Sequence, residues 1–201
     1  MAVRHLLLCA ALFCLVVTGN AVPGRQLHHR SKYTWKDFAA LGQFAGTLAT
    51  PMSGKQVSGG NKKDHGMIRM SVFKKDSDYN VYYNGKVDLK DSGYPTTVGI
   101  FKGAKGETGT LAFDFTADAT WTNDTWNPVF PVFRQFVNSF DYSFEGIYEK
   151  ASTKVAETGT LKDLIDAMFN EGASSYYGLV TTVAHATGAT RGQFFGFKLS
   201  I

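Results

Sequence analysis

Histidine is the residue type in this sequence that could most readily hold a metal or act as a general base. The five histidines are His5, His28, His29, His65 and His185, and no H-x-H or H-E-x-x-H spacing joins them. His28 and His29 are adjacent, so their side chains cannot easily face one ion in a rigid frame. A metal site needs several ligands at bond distance. We therefore predict no metal and no other cofactor.

His185 lies in the stretch TTVAHATGATRGQFFGF, between a β-branched run and a turn. Its imidazole could be a ligand, a catalytic base or part of a structural corner. Arg191 follows across the turn, and an arginine there can donate to backbone carbonyls or to a carboxylate and clamp two strands together. The imidazole can donate to the same corner. We therefore favour the structural corner over a catalytic role.

Asp141 and Glu145, in FDYSFEG, are the carboxylates that most suggest a glycosidase pair. Residues four apart in a strand lie on one face, and aromatic residues surround both. Any chain of this length contains such pairs, however, so a carbohydrate-active enzyme remains the alternative function. No G-x-S-x-G elbow occurs. The glycine-rich GAKGETG lacks the lysine and Ser/Thr of a phosphate loop, and we interpret it as a turn.

The N-terminus is typical of a cleaved secretory signal. A short polar start precedes the apolar run Leu6–Val17, and Gly19 and Ala21 supply the small residues of a cleavage site. Such a run is too short to span a bilayer comfortably, although an uncleaved anchor is the alternative. We predict a signal peptide at residues 1–21, a mature chain from near Val22, and a secreted protein with no membrane span after cleavage.

Composition excludes several further classes. Both cysteines, Cys9 and Cys14, lie within the predicted signal, so the mature chain must be held by core burial rather than by disulfides. The formal net charge is +4, less than a nucleic-acid binder usually carries, and we expect no nucleic-acid partner. Basic residues concentrate at Lys62–Lys63 and Lys74–Lys75. Solubilising loop charges are the favoured interpretation, and weak attraction to acidic polysaccharide is the alternative.

The remaining pattern predicts a β protein. Residues 22–43 are a basic linker followed by a short helix, which Thr34 and Asp37 begin as a capping box. From Phe44 onward, alternating runs such as MIRMSVFK and YNVYYNGKVDL are typical of strands joined by hairpins. One clear helix begins after Thr160, which forms a second capping box with Asp163, and its apolar stripe is expected to face the core.

A long aromatic insertion, at about residues 117–157, interrupts this pattern and packs onto the main domain. Exposed aromatic side chains supply rigid contact area for sugars and proteins. We therefore predict a ligand-binding set within the insertion, with the filling of a second small core as the alternative. The set is Trp121, Trp126, Phe130, Phe133, Tyr142 and Tyr148. Asn123, in the triplet NDT, is a predicted glycosylation acceptor.

Three segments together resemble the CHRD domain, a module named from chordin: FAGTLATP, VGIFKGAKGETGTLAFDF and TLKDLIDAMFNEGASSYYGLVTTVAHATGATRGQF. The resemblance spans Phe44–Phe197 apart from the insertion, and it implies a compact β-sandwich, an architecture that includes the Cu/Zn superoxide dismutase scaffold. Members often carry an H-I-H pair where this chain has Gly99-Ile100-Phe101. The residues that match the terminal motif, which we expect to form the structural corner, are His185, Arg191, Gly192 and Gln193.

We therefore predict one mainly β domain at residues 44–201. Its fold is an antiparallel immunoglobulin-like or superoxide-dismutase-like β-sandwich with one short helix and a long aromatic insertion. The predicted function is that of a secreted non-enzymatic glycoprotein which binds extracellular protein or matrix polysaccharide, or self-associates as a structural component. The alternative functions are a superoxide-dismutase-like metalloprotein and a carbohydrate-active enzyme.

Overall fold

The computed structural model describes residues 31–90, 92–116, 120–122 and 139–199, with the backbone alone for 120–122 and 139–141. The chain divides into two units, Met1–Thr34 and Trp35–Ile201, and the second contains every helix and strand given below. In the first unit, the Tyr33 amide donates to Ser31 Oγ (3.2 Å). The predicted signal at 1–21 lies outside the described residues. No helix in the described part of the chain is long and apolar enough to cross a membrane.

The second unit consists mainly of β-strands. In the described residues two α-helices accompany them, α1 at Trp35–Ala40 and α2 at Leu161–Asn170. The strands are β1 Gln43–Ser53, β2 His65–Lys75, β3 Asp78–Lys90, β4 Pro95–Lys102, β5 Thr110–Asp114, β6 Thr120–Thr122, β7 Ser139–Tyr148, β8 Val155–Ala156, β9 Gly159–Thr160, β10 Tyr176–Thr182, β11 Thr190–Gln193 and β12 Phe195–Lys198.

One antiparallel sheet contains most of these strands. Its hydrogen-bonded order is β5-β4-β10-β11-β1-β2-β3-β7-β6, and β12 pairs with β1 beside β11. The first strand in the chain therefore lies in the middle of the sheet, between its hairpin partner β2 and the last two strands. The short strands β8 and β9 pair only with each other.

Side-chain alternation gives the sheet an inner and an outer face. In β3, Val81, Tyr83, Val87 and Leu89 belong to the core, whereas Tyr82 lies on the opposite face. Successive residues of a strand point to opposite faces, so each strand contributes every second side chain to the core. We call the face that contributes to this core the inner face and the opposite one the outer face.

The sheet is curled, because aromatic rings of strands that are distant in its order meet on the inner face. The ring of Phe115, just after β5, lies 5.2 Å from that of Tyr83 in β3. Phe113 in β5 packs edge-on against Tyr148 in β7 at 5.5 Å. Tyr148 in turn stacks on Tyr83 at 4.6 Å. These contacts place one end of the sheet opposite the other and form the centre of the core.

Helix α2 packs against this core as its apolar stripe predicts. Leu161, Leu164, Ile165 and Met168 are buried. The helix begins with the predicted capping box, in which Thr160 Oγ1 accepts from the Asp163 amide and the Asp163 carboxylate accepts from the Thr160 amide. These contacts satisfy backbone groups that a helix end leaves without partners.

Part of the predicted aromatic insertion, at about residues 117–157, belongs to the main sheet. Residues 139–148 form β7, which pairs with β3 along its whole length. Gly146 interrupts the inward aromatic series of β7 and so hides the strand pattern in the sequence. A side chain there would overlap the ring of Tyr83, since a Cβ at Gly146 would lie 2.2 Å from the Tyr83 hydroxyl oxygen.

Candidate binding surface

Arg191 fastens β11 to the turn between β4 and β5. Its two terminal nitrogens donate to the carbonyls of Glu107 (2.6 Å) and Ala104 (2.8 Å). The guanidinium carbon also lies 3.5 Å from the centroid of the Tyr177 ring, which is buried. A planar guanidinium can donate to two acceptors and stack at the same time. Arg191 therefore acts as a structural clamp on this hairpin.

The two residues after Arg191 also make structural contacts. Gln193 Nε2 donates to the carbonyl of Ser174 (2.7 Å), which ties β11 to the segment that precedes β10. Gly192 lies against β1, and a Cβ added there would come 1.8 Å from the carbonyl oxygen of Pro51. Only glycine allows β11 to approach β1 this closely. The motif RGQ thus holds strands together.

His185 lies in the turn between β10 and β11, apart from the turn that Arg191 holds. Its backbone makes reciprocal hydrogen bonds with that of Thr182, each of 3.2 Å, and its amide also donates to Thr182 Oγ1 (3.0 Å). These backbone contacts close the turn. His185 therefore contributes to this turn through its backbone hydrogen bonds.

Glu145 is a buried carboxylate on the outer face of β7, with 4% of the residue exposed. It accepts from the Tyr82 hydroxyl (2.9 Å), which accepts from Asn84 Nδ2 (3.1 Å). Phe38 of α1 packs edge-on against Tyr82 at 4.8 Å. A catalytic carboxylate must reach its substrate. The hydrogen bond of Glu145 instead joins β7 to β3 at Tyr82, and Phe38 packs α1 against the same tyrosine.

A polar row crosses three strands beside this carboxylate. Arg69 of β2 is opposite Asn84 of β3, and Asn84 is opposite Glu145 of β7. Burial lowers the pKa of Arg69, because a charged guanidinium loses hydration there. Asp141, the second residue of the suggested glycosidase pair, is opposite Asp88 in the backbone register, and its side chain lies outside the described residues.

Two residues of the predicted aromatic ligand-binding set, Tyr142 and Tyr148, have described side chains. Tyr142 and Tyr148 are buried in the main core, with 7% and 2% of each residue exposed, because the alternation of β7 turns them inward. Neither tyrosine offers the exposed contact area on which the prediction relied. Trp121 lies in β6 opposite Phe144, and its side chain is outside the described residues. Trp126, Phe130, Phe133 and the predicted glycosylation site Asn123 also lie outside them.

Carboxylates and imidazoles are dispersed through the fold. Among the described residues, no group of three or more His, Cys, Asp or Glu side chains is placed to hold a metal ion. His65, for example, has one carboxylate nearby, with its Nε2 3.6 Å from Asp88 Oδ2.

Among the described side chains of the sheet, the exposed phenylalanines lie in β12. Phe195 is 60% exposed and Phe197 40% exposed, both in β12. They are opposite Ala49 and Thr47 of β1, and the Phe197 ring lies 6.4 Å from that of Phe44. We call Phe44, Phe195 and Phe197 the β12 aromatic surface. Exposed rings grouped in this way are a common feature of interaction sites.

Strand β12 has an open edge on the side away from β1. In the described part of the chain its only strand partner is β1, and all four of its residues are exposed. The Leu199 amide donates to the Ala45 carbonyl (2.7 Å), so the backbone groups of Leu199 face β1. Backbone groups alternate in direction along an antiparallel strand. Those of Gly196 and Lys198 therefore face the open edge.

Phe195 and Phe197 are not among the site residues predicted from the sequence. Their signal is alternation: two phenylalanines on one face of a terminal strand with glycine between them. Only the sheet order shows that this strand is an edge. Comparison with known protein families, curated proteins and solved structures finds no match for this chain.

Proposed function

We propose that this chain is a secreted, non-enzymatic β-sandwich glycoprotein of the CHRD type, which self-associates as an extracellular structural component. The observation that carries the proposal is the open edge of β12, with its exposed Phe195 and Phe197. An unpaired strand edge is a template for pairing with another strand. The partner that we propose is β12 of a second copy.

The sandwich and the CHRD relationship rest on separate supports. Contact of Phe113 and Phe115 with the rings of Tyr83 and Tyr148 supports two facing layers made from one curled sheet. The residues of the RGQ motif make structural contacts, for example those of Arg191. This supports the interpretation of RGQ as a motif that the CHRD fold requires. Both kinds of support are independent of the open edge.

The register of the proposed pairing follows from which backbone groups are available. Gly196 and Lys198 face the open edge, so a two-fold axis at Phe197 pairs Gly196 with the second copy's Lys198. This register also places Phe197 opposite Phe197 of the second copy, and Phe195 opposite Leu199 of the second copy. Another register centres on Lys198 and sets two like charges opposite each other, which is unfavourable.

The remaining symmetric register would need the backbone of Phe194, whose amide already donates to Tyr176 (2.9 Å). Of these registers, the axis at Phe197 therefore is the one that uses available backbone groups and avoids opposing like charges. The interface would be short and belong to the weak class, below about 1,200 Å². We expect a monomer–dimer equilibrium with a Kd on the order of 100 μM.

Substitutions at Lys198 test the pairing directly. Lys198→Pro removes the amide that faces the open edge and leaves the hydrogen bonds to β1 intact. Lys198→Thr removes the same side chain, which lies 5.8 Å from the Phe169 ring, but keeps the amide. In sedimentation equilibrium of the full chain, we expect the proline variant to stay monomeric. The threonine variant should keep its Kd within about twofold.

The aromatic rings supply a second test. Phe195→Ser with Phe197→Ser should weaken association by about tenfold, since cross-strand aromatic contacts are lost. Val155→Ser with Val183→Ser is the matched control, because these valines are 85% and 68% exposed elsewhere. A wild-type chain that is monomeric throughout, or a proline variant that associates like wild type, would overturn the proposal.

Secretion and glycosylation have their own measurement. In a secreting host, the intact mass should correspond to a chain that starts near Val22, plus a glycan that Asn123→Gln removes. A mass equal to that of the whole 201-residue chain would exclude cleavage.

A further inference from the structure

The loop between β1 and β2, residues 54–64, is compact and ordered by its own backbone. The Gly54 amide donates to the Asp64 carbonyl (2.9 Å), and the Asp64 amide donates to the Asn61 carbonyl (2.9 Å). A short 3-10 helix at Gly54–Gln56 begins the loop, and Ser53 Oγ accepts from the Lys55 amide (3.2 Å). The loop therefore presents its side chains from a fixed frame.

Side-chain contacts fasten this loop to the end of β3. Asp64 Oδ1 accepts from the Lys90 amide (2.6 Å), and its Oδ2 accepts from the Ser92 hydroxyl. Asn61 Nδ2 donates to the Lys90 carbonyl. Asp64 is only 1% exposed. The carboxylate of the loop's single acidic residue is thus turned inward and does not lie on the surface of the loop.

The surface of the loop carries three exposed lysines: Lys55, Lys62 and Lys63. They emerge close together, because a Cβ at Gly54 would lie 1.9 Å from the carbonyl oxygen of Asn61. Lys55 directly follows Gly54 in the sequence, and Lys62 directly follows Asn61. His65, with a side chain 64% exposed, continues the basic surface into β2.

We propose that Lys55, Lys62 and Lys63 form a binding site for an anionic polysaccharide. Ammonium groups are compact point charges that pair with carboxylate or sulfate groups. The loop sequence contains no aromatic residue, whereas binders of single-stranded nucleic acid usually stack bases on aromatic rings. Val57, its one large apolar residue, is partly buried, so the loop offers no apolar anchor for a membrane surface.

Two variants with equal loss of charge separate this site from the general charge of the protein. The first is Lys55→Gln, Lys62→Gln and Lys63→Gln. The second is Lys36→Gln, Lys74→Gln and Lys105→Gln, in which exposed lysines are removed from scattered positions. Both are made in the full chain that also carries Lys198→Pro, so the result does not depend on self-association. Neither variant removes a buried side chain, and melting curves check that both fold.

The probes are polygalacturonate and dextran sulfate, with neutral dextran as the negative control. We expect both polyanions to bind, and the Kd to rise as salt screens the charges. The loop variant should bind about tenfold more weakly, since each exposed ion pair contributes a factor of about two to three. The scattered variant should change the Kd less than about twofold.

Three outcomes would overturn the proposal. Equal losses in both variants would show that net charge alone causes binding. Failure of either polyanion to bind at low salt would remove the site. Binding to vesicles of phosphatidylserine and phosphatidylcholine, without binding to the polysaccharides, would assign the loop to a membrane surface instead.

Discussion

Arg191→Lys tests whether a planar guanidinium is needed at the corner of the sheet. The substitution keeps the positive charge but removes the fork that serves the carbonyls of Glu107 and Ala104 together. A lysine ammonium can reach one of these carbonyls and cannot stack flat on the ring of Tyr177. We therefore expect the variant to lose one charged hydrogen bond and the ring contact.

The expected cost follows from those two losses. A hydrogen bond to a charged group contributes about 1.5–3 kcal/mol, and a cation–π contact at an exposed site about 0.5–1 kcal/mol. Arg191 is half-buried, so the lower end of each range applies, and the free energy of unfolding should fall by about 2 kcal/mol. In a protein of this length that loss lowers Tm by about 4–8 °C.

Urea unfolding followed by circular dichroism measures this loss. Lys105→Ala is the control, because Lys105 is an exposed cation in the same β4–β5 turn, and its loss should cost less than about 0.5 kcal/mol. If Arg191→Lys unfolds at the wild-type urea concentration, the clamp does not depend on the guanidinium and our argument for Arg191 fails.

Two further substitutions address other contacts. Burial and the hydrogen bond to Asp166 (2.8 Å) raise the pKa of Tyr79 to about 12. The contribution of Tyr79 to the free energy of unfolding is therefore complete below about pH 10 and is lost as pH rises toward 12. In urea titrations at the two pH values, the free energy of unfolding of Tyr79→Phe should fall less between about pH 10 and pH 12 than that of the wild type. The difference should be no more than about 1 kcal/mol, since Tyr79 is partly exposed. Gly192→Ala should destabilise the fold by about 3 kcal/mol in the same assay, because its Cβ would overlap the Pro51 carbonyl. Wild-type stability in that variant would contradict the close approach of β11 to β1.

Local signals in the sequence predicted those elements that local interactions form. The hairpin between MIRMSVFK and YNVYYNGKVDL joins β2 to β3, and the turn GAKGETG joins β4 to β5, in each case as antiparallel neighbours. The capping box at Thr160 and the apolar stripe of α2 are likewise written within one short segment. Hairpin partners and helix caps lie a few residues apart, so a single sequence contains all the information that they need.

Features that depend on distant pairing were not predictable in the same way. The burial of Tyr148 and the exposure of Phe195 look alike in sequence, since each is an aromatic residue in an alternating run. What separates them is the sheet order, which puts β7 beside β3 and leaves β12 at an edge. The inward turn of Asp64 similarly depends on its contact with Lys90, across the β2–β3 hairpin.

The central position of β1 sets the time at which this domain can fold during synthesis. Its pairing with β2 forms from neighbouring segments, but its other side pairs with residues 190–198, which are far away in sequence. Pairing between such distant segments is slow, and it leaves a strand edge exposed until residues 190–198 have left the ribosome. A chain truncated before β11 would keep that edge of β1 permanently unpaired. Such a nascent or shortened chain would depend on chaperones to prevent its aggregation.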